Sequence, residues 1–247
     1  MERREYERLA AAEDRMWWFR GLHANLIAAW RDVGAAGRDG VLLDAGCGTG
    51  GFLNVLAAAA PDALRCGVEL DEGAARIAHA KGGGPIVAGS VAGLPFADGS
   101  LDAIFSADVL CHRGVEEAVA LGAFRRCLKP GGVLVLNLPA YRWLLSAHDA
   151  AVDNVRRYGR GEVLALLAAA GFANADVRYW NSILFPVMVL RRKLAGAKGR
   201  SGGSDVALLW APLERLFAAC VALEAKLAAA GVRLPFGGSI LASAVRP

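Results

Sequence analysis

Apolar residues in this chain fall into two alternating patterns, and that alternation assigns most of the structure. VLLDAG (41–46) is a short apolar run ending at glycines, which reads as a buried strand, and 51–60 returns to an Ala/Leu helix. LRCGVEL (64–70) is a second strand, 72–81 a helix and IVAG (86–89) a weak strand. LDAIFSADVL (101–110) is a further strand, followed by a helix over 115–128, the turn Pro130-Gly131-Gly132 and the strand VLVLNLP (133–139). Strands trading places with helices predict an α/β chain with a mostly parallel sheet covered on both faces.

The flanks read differently. Residues 1–36 are helical in pattern, with Trp17, Trp18 and Phe19 in one stretch. After 139 the chain turns polar and aromatic, then forms a helix over 161–170 that ends at Gly171, a natural C-terminal cap. AGFANADVRYW (170–180) is another strand, 183–194 is apolar then basic, and AGAKGRSGGS reads as a loop. Residues 206–230 carry Leu, Phe and Trp at helical spacing, and PFGGSILASAVR alternates enough to close the sheet as its last strand. There is no internal repeat. The economical division is one domain: a helical lid (1–36), a core (37–182), a helical cap (183–230) and a closing strand (231–247).

Composition narrows the class. At 247 residues, 55% hydrophobic and 21% charged, the chain carries enough apolar material for a core, which excludes global disorder. Its 30 glycines follow no triplet period, which excludes collagen. No window offers the ~18 uncharged apolar residues of a spanning helix, and the charged MERREYERLAAAED is no secretory leader. Five cysteines without a C-x-x-C pair point to reduced thiols and a cytoplasmic location. The net charge of +4 is local: without Arg191, Arg192, Lys193, Lys198 and Arg200 it becomes 4 − 5 = −1. That is not the spread basic face of a nucleic-acid binder. It leaves contact with an anionic substrate, or with a membrane surface through 183–200, as the local options.

The chemical signal is Asp44-Ala-Gly46-Cys47-Gly48-Thr-Gly50, set between a strand and a helix. Glycines there permit positive φ and close approach of a ligand, and the helix N-terminus offers unpaired N–H groups. Glu69 ends the next strand 19 residues after Gly50, where a carboxylate can accept hydrogen bonds from both ribose hydroxyls. The spacing is G-x-G-x-G rather than the dinucleotide G-x-G-x-x-G. Asp44 would repel a pyrophosphate but suits the ammonium of an amino-acid cofactor.

With these residues in place, the sequence resembles the class I S-adenosylmethionine-dependent methyltransferases. VLLDAGCGTG is similar to their first motif, GVELD to the second, AGSVAGLPFADGSLDAIFSADVLCH to the adenine turn and fourth strand, and LKPGGVLVLNLP to the fifth. The resemblance implies a doubly wound, seven-stranded Rossmann-like sheet, S-adenosylmethionine as cofactor and methyl transfer to a small or amphiphilic acceptor, most readily at oxygen. It places Asp44, Gly46, Cys47, Gly48, Gly50, Glu69, Leu70, Ser90, Val91 and Asp108 around the cofactor, with Trp17 and Arg20 reaching it from the lid. Ser90 stands where an acid often holds the adenine amino group. RMWWFRG and PAYRWLLSAHDAAVDNVRRYGRGEV also resemble a bacterial subgroup whose segment reads HDxxxxHxRRY, with Asn154 here in place of the second His.

Around the fifth strand, His148, Asp149 and His112 are the candidates for catalysis. Imidazole titrates near neutrality, and sites in open parallel sheets form at the carboxyl edge. Arg156, Arg157 and Tyr158 are candidates to hold an acceptor anion, with Tyr141 beside them. No H-x-x-x-H or carboxylate cluster suggests a metal. Two other readings share the pocket: an NAD-dependent oxidoreductase, and a non-catalytic cofactor-binding protein.

Overall fold

The computed structural model describes residues 10–13, 15–34, 40–197 and 209–247, with the side chains of 147, 148 and 193–197 outside that description. Its elements run α1 (Trp17–Asp32), β1 (Val41–Ala45), α2 (Gly51–Ala59), β2 (Leu64–Glu69), α3 (Glu72–Lys81), β3 (Ile86–Ala88) and β4 (Leu101–Ala107). They continue with α4 (Glu117–Cys127), β5 (Leu128–Pro139), α5 (Ala147–Ala151), α6 (Arg160–Ala169), β6 (Ala173–Trp180), α7 (Phe185–Ala197), α8 (Ala211–Ala229) and β7 (Ser239–Val245). The strands form one seven-stranded sheet in the order β3-β2-β1-β4-β5-β7-β6. β1 to β5 pair in parallel, while β7 runs antiparallel to both β5 and β6.

The central strands are apolar on both faces because helices cover both. Leu43, Ile104, Leu134 and Leu136 face one layer with Phe124 and Leu167; Leu42, Phe105 and Val135 face the other with Leu26, Trp30 and Leu53. β1 is the first strand of the chain, yet it lies mid-sheet between β2 and β4. Chain order reverses there, so a crevice opens at the carboxyl ends of β1 and β4, where ligands bind in doubly wound folds.

Several boundaries differ from the pattern reading. The last strand does not close an edge: 231–238 is irregular, and β7 inserts between β5 and β6. β4 stops at Ala107 because Asp108 takes φ 54°. α8 starts at Ala211, with 206–208 outside the described residues. Much of α1 is core rather than a detached lid, since Leu22, Leu26, Ile27, Ala29 and Trp30 are buried. Its aromatic start is half-buried: Trp17 meets Phe217 of α8 edge-on at 5.3 Å, and Trp18 lies 6.2 Å from Trp180. Among the described residues no helix is long and apolar enough to cross a membrane.

Candidate active site

The turn after β1 is held open by backbone geometry. Gly46, Gly48 and Gly50 take φ of 85°, 54° and 85°, a region that costs other L-residues free energy. A Cβ on Gly46 would sit 2.2 Å from Val109 Cγ2, so the glycine turn and the chain leaving β4 touch directly. Gly46→Ala is expected to destabilise the fold by about 2–4 kcal/mol, combining positive-φ strain with overpacking. Urea unfolding measures this; a change under about 0.5 kcal/mol would mean the turn is plastic.

Acidic groups surround this turn. Glu69 Oε2 accepts from the Gly48 N–H at 2.9 Å and Oε1 from the Asp71 N–H at 2.9 Å. Each oxygen keeps a second lone-pair direction for a ribose hydroxyl. Asp44 is buried, and its carboxyl is pushed up to about 8 by desolvation, with the Glu69 and Glu13 charges adding to it. Glu13 itself accepts from Thr49 Oγ1 at 2.6 Å and pairs with Lys81, clamping the N-terminal segment onto the glycine turn. A buried carboxyl raised by neighbouring acids gains when a cation binds beside it. The open glycine cradle and Asp44 therefore fit a cofactor that presents ammonium and sulfonium, and both Glu69 oxygens keep room to accept hydroxyls beside it.

The other cofactor candidates divide. Cys47 is buried against β2, 2.7 Å from where a Gly67 Cβ would lie, and burial pushes its thiol up, so it is packing and not a nucleophile. Leu70 is 73% exposed beside Glu69, open to an adenine face. Ser90 Oγ accepts from the Ala92 N–H at 3.2 Å and caps the short turn that buries Val91. Trp17 packs on α8, and Arg20 is exposed on α1.

Beyond β4 a polar chain runs into the core. Trp180 Nε1 donates to Asn137 Oδ1 at 2.7 Å, and Asn137 Nδ2 donates to both Asp108 oxygens at 3.0 Å. Indole N–H is a donor only, so it fixes the Asn137 amide with its NH₂ toward Asp108. Burial pushes Asp108 up to about 7; the Asn137 hydrogen bond and the Arg157 charge pull it down, and the Asp149 charge pushes it up. His112 is half-buried, and burial lowers its imidazole pKa from the ordinary value. Sequence reading missed Asn137 and Trp180. The signal for Asn137 was present: a lone amide inside the apolar run VLVLNLP, where a buried polar group must find partners. Glu13 left no such signal.

Within the segment 140–160, Asp149, Arg157 and Tyr158 turn inward, against the expectation that they face an acceptor. Arg157 is buried, pairing with Asp149 at 2.7 Å and donating to the Ala140 carbonyl at 3.0 Å. Asp149 also accepts from Ser146 N–H and Oγ–H at 2.9 Å each and from Arg192 at 3.3 Å. Burial alone would raise its pKa, but Arg157, Arg192 and Ser146 hold it below the ordinary carboxylate value. Arg156 donates to the carbonyls of Leu110, His112 and Val115, and the Tyr158 hydroxyl donates to Leu110 O at 3.0 Å from a buried ring. Arg156 and Tyr158 brace the loop after β4 against the chain after β5, while Arg157 and Asp149 tie the chain after β5 to itself and, through Arg192, to α7. Asn154 Oδ1 accepts from the Cys111 thiol at 3.2 Å. His148 lies in α5, with its side chain outside the described residues. Tyr141, at φ 61°, stacks on Tyr179 at 5.2 Å and faces Phe185.

Comparison with known proteins agrees with this geometry. Residues 43–136 match the model of a methyltransferase domain. The chain is 35% identical over 181 residues to the malonyl-[acyl-carrier protein] O-methyltransferase of Dechloromonas aromatica, a match covering 68% of this chain and 66% of that protein. The match spans 51% of an uncharacterized Mycobacterium marinum methyltransferase, so the chain covers about half to two thirds of these curated relatives. In fold it is similar to a SAM-dependent methyltransferase of Thermotoga maritima (TM-score 0.61, 19% identity, 99% of this chain and 95% of that one). It is likewise similar to phosphoethanolamine N-methyltransferase 2 of Haemonchus contortus in complex with S-adenosyl-L-methionine (TM-score 0.59, 17% identity, 90% and 52%). Residues 43–136 thus form a methyltransferase domain, and the glycine cradle, acidic pair and strand order around it are similar to those of the S-adenosylmethionine-dependent methyltransferases.

Proposed function

We propose that the protein transfers a methyl group to a small or amphiphilic acceptor, most readily at oxygen. The observation that carries the reading is the convergence of Asp44 and Glu69 on a glycine turn at the switch point between β1 and β4. The cofactor supplies an electrophilic methyl on a sulfonium. Asp44 holds the ammonium end, directly or through water, and Glu69 the ribose. Leu70 and Val91 flank the adenine, with Ser90 capping the turn beneath it.

Beyond the carboxyl end of β4, Asp108 borders the methionine part of the cofactor and His112 is the proton acceptor for an acceptor hydroxyl. Asp108 is held by Asn137, and burial lowers the His112 imidazole from its ordinary value, which favours the neutral form. His148 is a further candidate base, and α7 and α8 supply a cap. Oxygen is favoured because the relative from Dechloromonas aromatica is an O-methyltransferase. Five free thiols fit a reducing, cytoplasmic setting.

Calorimetric titration with S-adenosylhomocysteine, with NAD as control, tests the reading: micromolar binding of the thioether alone is expected, and binding of NAD alone overturns it. The same titration probes Asp44. Below about pH 8 its carboxyl must lose a proton before it can hold a cation, so affinity should rise by up to about tenfold per pH unit from pH 6 to 8. Asp44→Asn should flatten that rise. An unchanged slope in the variant removes Asp44 from the ammonium.

A further inference from the structure

We propose that the exposed face of α7 and the adjoining turn at 142–145 dock the protein on the surface of an anionic lipid bilayer. Val187 and Leu190 of α7 are 52% and 59% exposed, and Ile183 in the bend just before the helix is 38% exposed. Beside them Trp143 is 61% and Leu145 47% exposed. The two segments form one surface: Trp143 meets Phe185 edge-on at 6.3 Å, and Arg192 donates to the Leu144 carbonyl at 2.8 Å. Phe236, 42% exposed, extends the patch through Phe185 at 5.7 Å. Isolated exposed apolar residues need no explanation, but a contiguous patch of this kind marks a contact surface.

Charge selects the occupant. From 179 to 204 the sequence has no Asp or Glu, while Arg191, Arg192, Lys193, Lys198 and Arg200 fall within ten residues. Arg192 turns inward to Asp149, and the stretch stays strongly basic without it. An apolar helical face continuing into a basic stretch suits the boundary between acyl chains and anionic headgroups, where tryptophan is also favoured. A helix of 13 residues is ~20 Å long, short of the ~30 Å hydrocarbon core, so it lies on the bilayer and does not cross it. α7 follows β6 at the carboxyl edge of the sheet, so docking brings that edge to the lipid surface. The inference needs neither cofactor nor methyl transfer. If the proposed function also holds, an amphiphilic acceptor reaches the site from the bilayer.

Co-sedimentation of the full chain with phosphatidylglycerol/phosphatidylcholine vesicles, against pure phosphatidylcholine, is the test. Binding to the anionic vesicles should be at least tenfold stronger and fall at 0.5 M salt. Val187→Asp with Leu190→Asp should weaken it at least tenfold at unchanged circular dichroism and unchanged S-adenosylhomocysteine affinity. Lys193→Glu with Lys198→Glu, which reverses two charges of the basic stretch, should weaken it as well. Equal sedimentation with both vesicle types, none with either, or undiminished binding by both double variants overturns the proposal. So does a dimer in light scattering that the apolar double variant dissociates, because the face would then belong to a second copy of the chain.

Discussion

Glu69→Ala is expected to lower S-adenosylhomocysteine affinity at least ~100-fold. Two charge-assisted hydrogen bonds to ribose hydroxyls are worth about 1.5–3 kcal/mol each, and losing both removes about 3 kcal/mol or more. A second loss adds to the first. Glu69 accepts from the backbone N–H groups of Gly48 and Asp71, so its removal leaves the glycine turn without its brace on β2. Glu69→Gln keeps one acceptor oxygen and should fall between wild type and Ala. Calorimetry reads the affinities, and a thermal melt of the free protein separates the brace from the ribose contact. Affinity unchanged in Glu69→Ala would remove the ribose assignment and much of the cofactor pocket with it.

Asp149→Ala should destabilise the protein by about 3–5 kcal/mol, the cost of leaving a buried cation unpaired. The pair is enclosed: Arg157 is 5% and Asp149 1% exposed, and Arg192 and Ser146 converge on the same carboxylate. For a chain of this size the melting temperature should drop by roughly 10 °C or more. Replacing both partners with apolar residues of similar volume should cost much less than the single change.

The pH dependence follows from the direction of the Asp149 shift. Its folded pKa is held below the ordinary value by its cationic partners, so its stabilisation is complete above the unfolded carboxylate value of ~3.9. That stabilisation is lost as pH falls through the lower folded value. The wild type should therefore lose stability on that acid limb, and Asp149→Ala should lack this component. A destabilisation under about 1 kcal/mol at pH 7 would show that the ion pair does not brace the chain after β5, and would return Asp149 to the candidates for direct chemistry.

These expectations rest on features that were unequally legible in the sequence. The glycine turn was readable because its requirement is local: positive φ at Gly46, Gly48 and Gly50 needs no distant partner. Glu69 was readable because a strand, a tight turn and one helix fix its offset from the turn within a single β-α-β unit. The segment 140–160 was misread for the opposite reason. Residue type announced that Arg156, Arg157 and Asp149 carry charge, and nothing in their spacing announced that Arg157 and Asp149 meet in the interior while Arg156 turns to backbone carbonyls.

By itself the sequence determined the α/β alternation, the parallel core, the glycine turn and the acid after β2, all of which depend on periodicity or on backbone freedom within a few residues. Only the tertiary structure decided where β7 inserts, that Glu13 closes on Thr49 and Lys81, and that Trp180 and Asn137 hold Asp108. Those pairings join residues 29 to 112 positions apart. Their free energy comes from burying and satisfying polar groups against one another, which no local pattern encodes.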